Sequence, residues 1–157
     1  FIDALVARFV LAVMTQLIIF FIVVGGIVWF YDIRLVMDWG ALFVGISMAV
    51  ALALGVGIMN CLLVTRFGLW DRIWAVLNRP LFLISAIFFI PENIPTNFRG
   101  YLMLNPLAHV TTKVRAGFYG SYEAVHAVPL YVFIISGVLT VFGLLFLMRY
   151  HKDIALR

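Results

Sequence analysis

Charge is what this sequence has least of. Asp, Glu, Lys and Arg make up 11% of its 157 residues, while 66% are apolar. A soluble domain carries charge on about a quarter of its residues. A water-facing surface could not be covered from so few polar side chains, so the composition excludes a soluble fold and makes lipid the solvent. Cysteine is nearly absent too. Cys61 stands alone, which rules out an intrachain disulfide and a cysteine metal cluster. It lies in an apolar stretch and reads as a small packing residue rather than a reactive thiol. His109, His126 and His151 are too scattered to form a metal site.

The chemical motifs that are missing exclude as much. No G-x-x-x-x-G-K-[ST] stretch occurs, so the chain has no P-loop of its own. There is no H-E-x-x-H and no G-x-S-x-G. Asp3, Asp32, Asp38, Asp71, Glu92, Glu123 and Asp153 all fall in flanks or loops. An intramembrane hydrolase or a proton-coupled carrier needs an ionisable group within a span. The net charge of +4 is modest. Basic residues beside spans set topology or meet lipid headgroups, and nothing here calls for nucleic acid.

What is present is long apolar runs without the alternation of a β-barrel. The fold class is therefore all-α: a polytopic helical membrane protein forming one bundle. No residue between Arg8 and Asp32 is charged, enough for the ~20 residues a helix needs to cross. Gln16 sits inside this run, and Trp29, Phe30 and Tyr31 end it as an interfacial belt. A polar turn with Asp32, Arg34 and Asp38 follows. The second span runs from Trp39 to Thr65. Gly45, Ala49, Ala53 and Gly57 recur there at every fourth position, either as a row that lets another helix approach or as small residues scattered through a span.

A third span is expected over Ile73–Ile90, with a kink or a helix start near Pro80, whose ring removes a backbone donor. Arg79 beside it either snorkels to the interface or faces a polar cavity. The fourth span is expected from Val128 to Met148, between Tyr131 and Tyr150, with a basic tail from Arg149 to Arg157. Seven Lys and Arg flank one side of these four spans and four flank the other. The bias puts both ends and the Thr65–Ile73 loop in the cytoplasm, and Asp32–Asp38 and Pro91–Ala127 outside.

The connection from Pro91 to Ala127 is too long and apolar for a simple loop and reads as two short helices. Ile94-Pro95-Thr96 opens the first, with Ile94, Phe98, Tyr101 and Leu102 on one face. Asn105 caps the second and Pro106 fits its first turn. Leu107, Val110, Val114 and Phe118 make its apolar stripe. His109, Thr112 and Lys113 lie opposite, Arg115 stands on the shoulder, and Gly117 and Gly120 let the chain stop and turn. The pair forms a helical hairpin on the outer face, either re-entrant or lying flat on headgroups. Its two-faced second helix makes Asn105, Pro106, His109, Lys113 and Arg115 candidates to line or close an outer gate. Arg115 could stack on Tyr101 or Tyr119, or hold a phosphate headgroup. In the cytoplasmic loop, Arg66, Phe67, Trp70, Asp71 and Arg72 offer exposed aromatics suited to a protein partner; anchoring of Trp70 and Trp74 in headgroups is the alternative.

The runs "RPLFLISAIFFIPENIP" and "YLMLNPLAHVTTKVRAGFYGSY" resemble the C-terminal half of type-2 ABC exporter permeases, in the branch that exports capsular polysaccharide and O-antigen. The matching parts are Arg79-Pro80 with Ile84-Ser85, Ile94-Pro95, and Asn105-Pro106-Leu107 with His109 and Arg115. The opening "IDALVAR" looks like that family's cytoplasmic approach to its third span. The sequence departs from the pattern at Thr112, where an acidic residue is common, and at Ile90, where Phe is usual.

The resemblance implies that residues 1–157 are the C-terminal part of an ABC transporter transmembrane domain, preceded by an interfacial helix and two further spans. It implies a homodimeric permease in the bacterial inner membrane, with a pair of ATP-binding cassette subunits that carry ATP and Mg, while this chain binds no cofactor. Membrane lipid surrounds it, the cargo is a lipid-linked polysaccharide, and export partners follow in the periplasm. The chain would not be an enzyme itself. The rival classes are an integral membrane enzyme acting on lipid-linked glycans, with Glu92 and Glu123 as the only candidate acids at the outer hairpin, and an assembly subunit.

Overall fold

In the computed structural model of the chain, residues 2–32, 37–88, 90, 93–120, 122 and 124–155 are described. Arg34, Glu92, Glu123 and Arg157, and the side chains of Tyr150, His151, Lys152 and Asp153, lie outside that description. The described residues form six helices and no strand: α1 Ile2–Tyr31, α2 Trp39–Arg66, α3 Trp70–Leu83, α4 Thr96–Leu102, α5 Pro106–Phe118 and α6 Pro129–Ala155. Three are long and apolar enough to cross a membrane, over Asp3–Tyr31, Trp39–Arg66 and Pro129–Arg149. Large apolar side chains such as Leu11, Ile22, Phe43, Leu130 and Leu145 stand exposed along them. That surface suits lipid and would be an aggregation liability in water.

α2 is the centre of the bundle, and its principal contacts are with α6 and α5. It starts where Asp38 accepts from the amides of Gly40 at 2.9 Å and Ala41 at 3.2 Å, two donors that no helical carbonyl can reach. The core cluster is Met48 and Leu52 of α2, Val110 of α5 and Val132 of α6. Glycines decide how closely the helices come. A Cβ on Gly55 would lie 2.7 Å from the Ser136 carbonyl, and one on Gly143 would lie 2.7 Å from Ile58 Cγ2. A Cβ on Gly45 would meet the backbone of Val114, and one on Gly117 would lie 2.8 Å from Leu42 Cα.

The glycine contacts decide one open alternative and correct one expectation. The four-spaced row on α2 does not act as one face. Gly45 meets α5, whereas Ala53 and Gly57 are exposed and nothing approaches Gly57. An α-helix turns ~100° per residue, so residues four apart drift by about 40° and the row winds off any single neighbour over three steps. Gly55, outside that row, is the close approach to α6. Gly117 likewise does not end its helix. It lies within α5 as a contact surface for Leu42, and Tyr119 caps the end with its amide on the Arg115 carbonyl.

The pairings Gly117–Leu42 and Gly45–Val114, with Val110 beside Met48 and Leu52, run α5 antiparallel to the first half of α2. The two are tied at one end by the Asp38 amide donating to the Gly117 carbonyl at 2.9 Å.

The expected third span takes another form. α3 starts early, continues three residues past Pro80 and stops at Leu83. Fourteen residues rise about 21 Å, short of the ~30 Å of hydrocarbon. The apolar run goes on, but the chain leaves the helix through a turn in which Ala86 is fully buried with φ 58. An L-residue in that left-handed region is disfavoured by the contact of Cβ with its own carbonyl, so neighbours must hold it there.

Candidate functional site

Among the described residues, side-chain hydrogen bonds gather at the α4–α5 corner. Asn105 caps α5 by accepting from the Leu107 amide at 3.1 Å, with Pro106 in the first turn as its fixed φ allows. The Asn105 Nδ2 donates to the Leu81 carbonyl at 3.4 Å. Thr111 donates its hydroxyl to the Ser85 carbonyl at 2.6 Å. Arg115 donates Nη2 to the carbonyls of Ala86 at 2.8 Å and Ile87 at 3.3 Å. Thr111 and Arg115, one turn apart on α5, thus serve the backbone that follows α3, and Asn105 reaches Leu81 near the end of α3 itself. Ala86, Leu102 and Ala108 close a small apolar cluster beneath them.

His109 sits on another flank, 4% exposed. Its Nδ1 accepts from the Val128 amide at 3.2 Å, which leaves the proton on Nε2 to donate to the Met103 carbonyl at 2.8 Å. Its ring lies 5.1 Å from that of Tyr131, whose hydroxyl donates to the Leu104 carbonyl at 2.9 Å. The histidine therefore ties the corner to the start of α6. The expected polar face of α5 is in fact divided. His109 and Thr112 are buried, Lys113 and Arg115 are half-buried, and Tyr101 and Tyr119 are exposed at 77% and 59%. The expected apolar stripe packs as read, with Leu107 and Val114 against the core and the Phe118 ring 5.8 Å from Phe20 of α1. Near the same corner Arg99 donates to the Ile94 carbonyl at 3.0 Å and to His126 Nε2 at 3.2 Å.

At the far end, the turn between α2 and α3 leaves Arg66, Phe67, Leu69, Asp71 and Arg72 exposed. Trp70 differs, because its indole donates to Asn60 Oδ1 of α2 at 2.9 Å. That tie fixes where α3 begins relative to α2. Among the described residues no three His, Cys, Asp or Glu side chains come together to hold a metal ion. A cleft of about 550 Å³ separates α1 from α2, lined by Phe9, Gln16, Phe20, Ala49 and Ala53 among others.

Sequence reasoning assigned no bonding role to Asn60 or Thr111, nor to Ser85 and Tyr131, which it named only within a family-like run and at a span end. Several act through backbone groups, which carry no residue-type signal. A hydroxyl one turn before Arg115 on the same helix flank was the available hint for Thr111.

The chain is 24% identical over 152 residues to the capsule polysaccharide export inner-membrane protein CtrC of Neisseria meningitidis serogroup B, covering 97% of this chain and 57% of that protein. It is 30% identical over 117 residues to the polysialic acid transport protein KpsM of Escherichia coli, covering 69% of this chain and 42% of KpsM. The resemblance to capsule-export proteins holds. The capsule polysaccharide export inner-membrane protein BexB of Haemophilus influenzae adds a match at 30% identity over 77 residues, 46% of this chain and 29% of BexB. The chain thus spans little more than half the length of CtrC and less of the others. No family model and no solved structure matches it.

Proposed function

We propose that this chain is part of the membrane permease of an ATP-driven exporter that moves capsular polysaccharide, O-antigen or a related lipid-linked glycan across the bacterial inner membrane. The observation that carries the reading is the similarity to CtrC along 97% of the chain, which takes in the α4–α5 corner as well as the apolar helices. The permease pairs with a second copy and with two ATP-binding cassette subunits that hold ATP and Mg. It is not itself an enzyme.

In this reading four segments cross the membrane, and α3 with the turn after it makes the third. Trp70 lies beside Asn60 near one end of α2, and Arg115, which meets Ala86 and Ile87, lies one residue from Val114 against Gly45 near the other. The segment from Trp70 to Ile87 thus runs alongside much of α2 although its helix stops early. The α4–α5 hairpin is re-entrant, because α5 lies along the outer half of α2 and not across its end. Irregular backbone at such depth is tolerated where protein covers it. Tyr101, Lys113 and Tyr119 present the outer path to glycan, with Asn105, Pro106, His109 and Arg115 building the wall behind them. Phe67, with Arg66, Asp71 and Arg72, meets the ATPase.

Purification of the full-length protein from native membranes tests the function. A cassette ATPase should come down in equal amount, and loss of the protein should strand glycan in the cytoplasm. Turnover of lipid-linked glycan by the protein alone would favour a membrane enzyme, and normal surface glycan in its absence would contradict export. For the crossings, cysteines at Asp71 and Val125 should react with an impermeant thiol reagent from opposite sides, and labelling from one side would reject them.

A further inference from the structure

We infer that α5 acts as a clip that sets where the third span breaks, and that Arg115 is its positioning residue. α3 ends with carbonyls that no later helical turn can pair. Ile84 and Ser85 close the last turn on the carbonyls of Pro80 and Phe82. Asn105, at the N-cap of α5, takes the Leu81 carbonyl in the last turn of α3, and one flank of α5 takes acceptors beyond that helix: Ser85 by Thr111, and Ala86 and Ile87 by Arg115. Thr111 and Arg115 are four residues apart on α5, about 40° round the helix, so they form a two-rung ladder beside the departing chain. If the segment crosses as proposed above, unmet carbonyls there would face hydrocarbon, where backbone must be satisfied by protein.

A second observation shows that the break is held and not merely tolerated. Ala86, at the centre of the ladder, is fully buried in the left-handed region. Glycine enters that region freely, and alanine does not. Arg115 suits the task because one guanidinium carries several donors in a fixed plane, whereas an ammonium is a point donor. The side chain that looks most like a glycan ligand therefore works on the protein's own backbone. A short break in an otherwise apolar run is then fixed by a helix about twenty residues further along.

The test is hydrogen exchange on the full-length protein in nanodiscs, reading the amides of Ile84 and Ser85. It depends on the fold alone, so it stands apart from the outcome of any export assay. Arg115→Ala should speed their exchange at least fivefold, and adding Ala86→Gly should reverse at least half of that change. Thr111→Val, which keeps the shape and removes one rung, should show the same pattern more weakly and replaces Arg115→Ala if that variant does not insert. Unchanged exchange in the Arg115 variant, or in the Thr111 variant read in its place, overturns the clip. So does faster exchange that Ala86→Gly leaves unaltered, because Arg115 would then not be supporting the left-handed turn.

Discussion

α6 and α1 are both long apolar helices, yet one is fused to α2 along a tight seam and the other stands off behind a cleft. The seam has glycines at close approach: Gly55 against the Ser136 carbonyl and Gly143 against the Ile58 side chain. α1 has Gly25 and Gly26, but nothing approaches either within 4 Å. Phe20 touches Phe118, and bulky Phe9 and Leu17 line the cleft. In lipid no hydrophobic effect drives two apolar helices together, so close backbone approach and polar ties must do it. The difference teaches that a small residue counts only where a partner helix comes to meet it. α5 extends the lesson, since it combines both devices: Gly45 and Gly117 at its seam with α2, and a row of hydrogen bonds on its other flanks.

The contrast can be broken most severely at His109. His109→Leu removes the acceptor for Val128 and the donor for Met103 while keeping the site filled. Each orphaned buried group costs about 1–3 kcal/mol, so thermal unfolding of the purified protein should show the largest loss here. Next come Gly117→Ala and Gly55→Ala, whose added Cβ would lie 2.8 Å from Leu42 Cα and 2.7 Å from the Ser136 carbonyl. Overpacking of this kind costs about 1–3 kcal/mol, and the same unfolding assay should place both below wild type. Asn105→Ala removes the cap of α5 and should cost about 1 kcal/mol. Gly57→Ala and Gly25→Ala sharpen the comparison from the other side. A Cβ added at either would meet nothing within 4 Å beyond its own helix, so both should be neutral or stabilising by up to about 1 kcal/mol through helix propensity. A strongly destabilised Gly57→Ala would mean that α2 packs on a different face.

The helical class and the three long helices were legible because an apolar run needs no partner to declare itself. The start of α5 was legible for a related reason: Asn105 and Pro106 act on amides within two residues. The end of α3 was not, because the apolar sequence continues while the break depends on Thr111 and Arg115 far along the chain. The place of His109 was hidden in the same way. Its partners are the backbone groups of Met103 and Val128, which look alike in every residue. The Gly45–Gly57 row left two readings open because a spacing of four approximates the helical repeat only over a turn or two. Which glycine is used depends on the axis of the neighbouring helix, which pattern alone does not contain.

The central claim is that α5 is packed into the bundle and not spread on the membrane surface. Thr112 decides it, because a flat amphipathic helix would turn this residue to water, whereas the fold buries it fully. In a Cys61→Ala background, Thr112→Cys should resist an impermeant maleimide in intact membranes and react only after denaturation, while Tyr119→Cys labels readily. Labelling of position 112 in intact membranes at the rate of position 119 would contradict the account.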